Sequence, residues 1–228
     1  IYDLTYEEIL KYDVGSINKL SRYGRRFLNQ KSLPNQKIPK LSDIFDLINS
    51  KNINDIVLNL EIKSTPVEDN LTPSPKEMVS IIKKEIEKSK LEEKILISSF
   101  DWRILKEFSI QMPNIARGYL SFQQNTGVKI EKTIYKNSPW MDLALAFKEY
   151  DLPRLIKQIG GKVWCPFYRD ITKKDVEMAH EEKLVVNVWT VNKESDMMQM
   201  IEYGVDAIIT DYPLVLKEVC EKNNIKWF

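Results

Sequence analysis

The chain carries one histidine, His180, in 228 residues, so any mechanism that needs imidazole must run through that side chain. Cysteine is nearly as scarce: Cys165 and Cys220 are the only two, both in apolar stretches. They offer neither the density of a disulfide framework nor a metal-knuckle spacing, and they read as reduced thiols. The seven glycines, about half the usual share, include no GxGxxG or GxxxxGK[ST] loop, which leaves a nucleotide-binding reading without support. No run reaches the roughly 18 uncharged apolar residues of a membrane span, and no signal-peptide pattern opens the chain. Charge of either sign is not in excess. With 34 basic against 33 acidic side chains the net charge is +1, so no global field pulls the protein toward nucleic acid or acidic lipid.

What is present is the composition of a globular protein with a sizeable core. Apolar residues make up 43% and aromatics 10%, against disorder, and the length suits one domain or little more. The sequence begins at Ile1 rather than methionine, and the expectation is that something lies upstream. Reduced thiols point to a cytoplasmic location, with any export signal belonging to that upstream portion.

From Lys51 onward, short β-branched runs alternate with segments of helical period, the pattern of βα units on a parallel sheet. Strands are predicted near 56–62, 95–99, 115–120, 162–165, 184–190 and 206–210. Helix starts fall between them. Ser74-Pro75-Lys76-Glu77 combines an N-cap, a proline at the first helical position and a capping-box glutamate, and predicts a helix to about Lys90. Thr172 to Asp175 predicts a second such start. Asp101 is read as opening a helix with Ile104, Leu105 and Phe108 on one face, and Asn192 as capping one that Gly204 ends. Two short helices are expected around Trp140–Tyr150 and Pro153–Ile159. The first fifty residues differ, with helices at Thr5–Lys11 and Leu41–Ser50, a polar loop through Pro34–Pro39, and no strand before 56. Six strands are two fewer than a closed (β/α)8 barrel needs.

The strand at 56–62 has an alternation wrong for burial on both faces. Ile56, Leu58, Leu60 and Ile62 share one face; Val57, Asn59, Glu61 and Lys63 share the other. A carboxylate and an ammonium at a strand's C-terminal end stand where active sites of α/β barrels are built. A neutralised rim ion pair is the plainer alternative. Trp189, on one face with Val185 and Asn187, suits either a pocket floor or the top layer of a core. Asp211 could be a ligand but reads better as the cap of the last helix, and His180 reads as a partly exposed packing residue late in its helix. The alternating charges of Lys83–Glu87 and Glu92–Lys94 read as solvated helix surface.

Together, LNLEIKSTP at 58–66, ISSFD at 97–101, IARGYL at 115–120 and VVNVWTVNKESDMMQMIEYGVDAIITDYP at 185–213 resemble successive strand ends of the glycerophosphodiester phosphodiesterase family. LTYEEILKYDVGS at 4–16 and IPKLSDIFDLI at 38–48 resemble its middle insertion and the helix before its third strand. The resemblance implies a TIM barrel whose first two βα units are absent here, with 1–50 as insertion and helix and 51–228 as six βα units of one domain. It implies hydrolysis of small glycerophosphodiesters to glycerol 3-phosphate and an alcohol, using calcium or magnesium. By the same resemblance Glu61 is a metal ligand, Lys63 is the catalytic and substrate-binding lysine beside the phosphate, and Trp189 lines the substrate pocket. The family's two proton-transfer histidines and two further metal carboxylates have no counterpart in this sequence. The chain alone is therefore expected to be inactive or nearly so, with its metal site left open. A second expectation is an interaction partner that completes a barrel with a separate N-terminal piece, or self-associates through exposed sheet edges. A third is an aldolase-like barrel with Lys63 as Schiff-base lysine and Glu61 as its proton shuttle.

Overall fold

A computed structural model describes residues 2–51, 53–68, 70–124, 132–141 and 151–226. The chain packs as two units, Ile1–Ile53 and Asn54–Phe228.

In the first unit, α1 (Tyr6–Ile9) opens on a capping box in which Thr5 and Glu8 satisfy each other's backbone N–H groups. A five-residue helix, α2 (Arg22–Arg26), follows and is capped by Ser21; the sequence predicts no element between Lys11 and the polar loop at Pro34–Pro39. The third helix, α3 (Leu41–Ser50), has the predicted bounds and buries Phe45 and Ile48.

The second unit runs β1 (Leu58–Glu61), α4 (Pro75–Ser89), β2 (Ile95–Ser99), α5 (Trp102–Gln111), β3 (Ala116–Ser121), α6 (Leu152–Gln158), β4 (Val163–Pro166), α7 (Lys173–Glu181), β5 (Val185–Val188), α8 (Glu194–Tyr203), β6 (Ala207–Ile208) and α9 (Pro213–Lys222). Its six strands pair in chain order, every pair parallel. A doubly wound sheet reverses its order at a switch point, whereas this succession is the winding of a TIM-type α/β barrel. Each predicted strand is found, trimmed by a residue or more at most ends. Where the hydrogen-bond register stops, the chain turns toward the next helix. Of the two short helices expected in 140–159, α6 is present, and residues 142–150 lie outside the described part.

The caps explain why the helices start where they do. Ser74 and Glu77 form the expected capping box at α4, and Thr172 and Asp175 form another at α7. Asp101 caps α5, which buries Ile104, Leu105 and Phe108; each contributes roughly 1.5–3 kcal/mol by leaving water. Gly204 ends α8 at φ +83°, a conformation that costs a β-carbon-bearing residue more than glycine. Two expected caps are corrected. Lys193, not Asn192, is the N-cap of α8, and Tyr212, not Asp211, is that of α9, neither with a side-chain cap hydrogen bond. Asn192 and Asp211 bond to each other instead, Nδ2 donating to Oδ2 at 2.7 Å.

Candidate functional site

Register fixes which side chains share a sheet face. Glu61 pairs with Ser98, Ser98 with Gly118, Leu120 with Cys165, and Val163 with Val185. Neighbours in a parallel ladder point the same way, and every second residue returns to that face. One face therefore carries Asn59 and Glu61 on β1, with Lys63 just beyond it, then Ser98, Gly118, Cys165, Asn187 and, beyond β5, Trp189. Gly118 is small for a reason: a β-carbon there would lie 3.0 Å from Cys165 Sγ and 3.5 Å from Ser98 Cβ. The opposite face of β1 holds Leu58, Leu60 and Ile62, all half-buried, while Asn59 and Glu61 are exposed, as the alternation predicts.

Four aromatic rings gather at the C-terminal ends of these strands. Trp189 lies 5.2 Å from Phe100, edge to face, 5.2 Å from Phe167 and 6.1 Å from Phe122. It packs on Leu120, Val163 and Cys165, and its indole N–H donates to the Cys165 carbonyl at 2.9 Å. Trp189 thus closes the top of a core layer and keeps part of its ring toward solvent. Beyond it the chain is fixed by Asn192, whose side-chain oxygen accepts from Asp211 N at 2.9 Å and from Thr210 Oγ1 at 3.1 Å. The WTVN and TDYP segments are one bonded unit joining the ends of β5 and β6.

The loop after β1 is held just as firmly. Asp101, with no side-chain exposure, receives both Arg103 Nε at 2.9 Å and Nη2 at 2.8 Å, and Ser64 Oγ at 2.7 Å. Ser99 Oγ donates to the Ile62 carbonyl at 2.8 Å. These bonds bracket Lys63. Sequence reading took Asp101 only as a cap and did not see it as the anchor of the lysine's loop; a serine next to Lys63 was the available hint.

Lys63 Nζ lies 2.6 Å from Glu61 Oε1, with the lysine side chain 79% exposed and the glutamate 36%. The plainer ion-pair reading is thus present in the structure. A Schiff-base lysine needs a desolvated pocket, and this one is solvated and paired. The field of Glu61 reaches inward: burial, with a contribution from the Glu61 carboxylate, pushes the Cys165 thiol up to about 12. The register puts Glu61 on the sheet face that carries Cys165 and Trp189. A thiol so far from its thiolate is inert. Native protein at pH 8 should leave Cys165 unmodified by iodoacetamide over hours, with rapid labelling once denatured; prompt labelling of Cys165 in the folded state would contradict this packing.

Among the described residues the donor set falls short of a complete metal centre. Glu61 is already bound to Lys63, and among the described residues no three His, Cys, Asp or Glu side chains converge. His180, on α7, is 41% exposed and meets Asp206 Oδ2 at 3.0 Å; Asp206 Oδ2 also accepts from Val186 N at 2.7 Å. That fastens a helix to the start of β6 and is the packing role expected of the lone histidine. Asn187 is placed by the sequence on the face of Trp189, but nothing in the sequence gives it a role of its own. It is 7% exposed, and its Oδ1 has no hydrogen-bond partner, an acceptor on the face shared by Cys165 and Trp189 that a ligand hydroxyl or a water would satisfy. A cavity of about 290 Å³ between α6 and α7 is lined in part by Trp164, Asp170 and Met178. Trp164 belongs to the other sheet face, so this cavity adds nothing to the mouth. No helix among the described residues is long and apolar enough to cross a membrane.

The glycerophosphoryl diester phosphodiesterase family matches residues 1–215. The chain is 31% identical over 222 residues to a glycerophosphodiester phosphodiesterase of Caldanaerobacter subterraneus subsp. tengcongensis, covering 97% of this chain and 73% of that one. It is 27% identical over 178 residues to one from Bacillus altitudinis, covering 77% and 60%. A Silicibacter pomeroyi DSS-3 crystal structure, described as a glycerophosphoryl diester phosphodiesterase, superposes with a TM-score of 0.83 at 31% identity, over 99% of this chain and 70% of its own.

Proposed function

Because this chain belongs to the glycerophosphoryl diester phosphodiesterase family, we propose that it recognises a small glycerophosphodiester and supplies the anion-binding and ring-stacking part of its hydrolysis to glycerol 3-phosphate and an alcohol. One observation carries this reading. Glu61 and Lys63 stand on the sheet face of Trp189, at the strand ends, with Cys165 beneath.

In the reaction a water oxygen adds to phosphorus and the ester P–O bond breaks. A base takes a proton from the water and an acid gives one to the departing alcohol. Negative charge stays on the non-bridging oxygens throughout, and a fixed cation there favours both binding and the transition state. Lys63 is that cation. Glu61 orients it, and the Asp101–Ser64 bond holds its loop. Trp189 offers an apolar ring to the glycerol carbons, and Asn187 Oδ1 an acceptor for a glycerol hydroxyl. A calcium or magnesium ion belongs to the proposed chemistry of the family, where it would polarise the phosphoryl oxygens. Among the described residues this mouth offers one carboxylate, Glu61, and it is ion-paired.

The single histidine, the proton-transfer side chain that the family resemblance calls for, is paired with Asp206 on α7 and away from this mouth. We propose accordingly that this chain by itself binds without turning over. Equilibrium dialysis should find glycerol 3-phosphate bound, and Lys63→Met should weaken it at least tenfold, about 1.4 kcal/mol, as for a lost charge-assisted hydrogen bond. Equal affinity in the variant would remove Lys63 from the site. Metal-dependent release of glycerol 3-phosphate by this chain alone would contradict the binding-only reading.

A further inference from the structure

The balance of charge over the whole chain conceals a local asymmetry. Residues 14–36 contain Lys19, Arg22, Arg25, Arg26 and Lys31 and not one acidic side chain. They form a closed loop. Asp13 at its base accepts five hydrogen bonds: from Gly15 N, from Ser16 N and Oγ, and, across the neck, from Asn35 N at 2.9 Å and Gln36 N at 3.2 Å. Val14 N donates to the Gln36 carbonyl and Leu33 N to the Gly15 carbonyl, at 3.0 and 2.9 Å. The Ser16 hydroxyl above all, with the backbone N–H groups, holds the Asp13 carboxyl well below the usual carboxylate range. The only acid at the neck is thereby committed to the loop's own closure. The unit's other acids, Asp3, Glu7, Glu8, Asp43 and Asp46, lie on the segments before and after the loop.

The loop also bares apolar groups that a solvated charged surface does not need. Leu20 is 85% exposed, Leu28 63% and Tyr23 55%. They alternate with the arginines, and Arg26 stacks over Phe27 at 5.0 Å, which keeps cation and ring at one level. Isolated exposed leucines are ordinary, but aliphatic tips set among cations, with no acid between, match the two components of a membrane interface, anionic headgroups and the acyl boundary below them. Nucleic acid would use the cations and leave Leu20 and Leu28 without a role.

We propose that loop 14–36 is a peripheral docking surface for anionic phospholipid. The inference does not depend on the function assigned to the strand ends. Each basic residue near an anionic leaflet is worth about fivefold in binding constant, and the attraction is screened by salt. The full chain should sediment with vesicles of phosphatidylcholine and phosphatidylserine at about 0.1 M salt, much less at about 0.5 M, and not with phosphatidylcholine alone. The triple substitution Arg22→Gln, Arg25→Gln, Arg26→Gln should cut the partition constant at least tenfold with unchanged circular dichroism. Leu20→Ser with Leu28→Ser should cut it by a similar factor while leaving the salt dependence in place, a pattern that charge alone does not give. Equal sedimentation with neutral and anionic vesicles, or anionic binding indifferent to both variants, would overturn the proposal. So would tight binding of a single-stranded oligonucleotide with none to vesicles.

Discussion

Asp101→Ala is expected to lower the unfolding free energy by about 3 kcal/mol, the lower end of what removing one partner of a buried ion pair costs, and the melting temperature by roughly 6–12 °C for a chain of this size. Three losses combine. The N-cap of α5 disappears, the two hydrogen bonds from Arg103 lose their acceptor, and the Ser64 hydroxyl loses its partner at the end of β1. The estimate stays low in its range because Arg103, 29% exposed, can turn toward water. Asp101→Asn retains a capping oxygen and should cost about half as much. A melting temperature within 2 °C of wild type for Asp101→Ala would mean that this carboxylate does not hold the loop. Since that loop carries Lys63, both variants should also weaken glycerol 3-phosphate binding, and Ser64→Ala should weaken it with little change in stability.

Trp189→Ala carries the other large effect. The indole fills the space among Phe100, Phe122 and Phe167, covers the Cys165 layer and donates to the Cys165 carbonyl. Its removal should cost about 3 kcal/mol, the low end for a Trp truncation, because part of the ring is already in water. Glycerol 3-phosphate should bind at least tenfold more weakly. Trp189→Phe separates the two roles: it fills most of the volume, loses the indole hydrogen bond at about 1 kcal/mol, and should keep most of the affinity. Stability lost with affinity unchanged in Trp189→Ala would make the ring a core residue and nothing more.

Much of this was legible in the sequence because the signals are local. Period-two alternation in 56–62 gave the polar face of β1, since a one-residue slip would bury Glu61 on the helix side. Capping residues marked α4, α5 and α7 because unsatisfied N–H groups at a helix start must find a partner close by. The failures came where a partner is distant in sequence. Asn192 and Asp211 look like caps by type, yet the strand ends bring them within bonding distance of each other, and an ion–amide pair with two further bonds outcompetes two single caps. Asp101 looks like a cap and is one, but its tie to Ser64 spans 37 residues. Asn187 could be placed on the Trp189 face by alternation, but its burial and its unpartnered acceptor depend on neighbouring strands and so were not legible. The basic loop was overlooked for another reason: net charge was read over the whole chain, which averages away a patch that four hydrogen bonds across its neck hold together.

A crystal structure of the chain soaked with glycerol 3-phosphate addresses the assignment of the strand ends most directly. The phosphate should lie within hydrogen-bonding distance of Lys63 Nζ, with the glycerol carbons against the Trp189 ring. Phosphate bound elsewhere on the molecule, with Lys63 still closed on Glu61 and the Trp189 ring uncontacted, would contradict it.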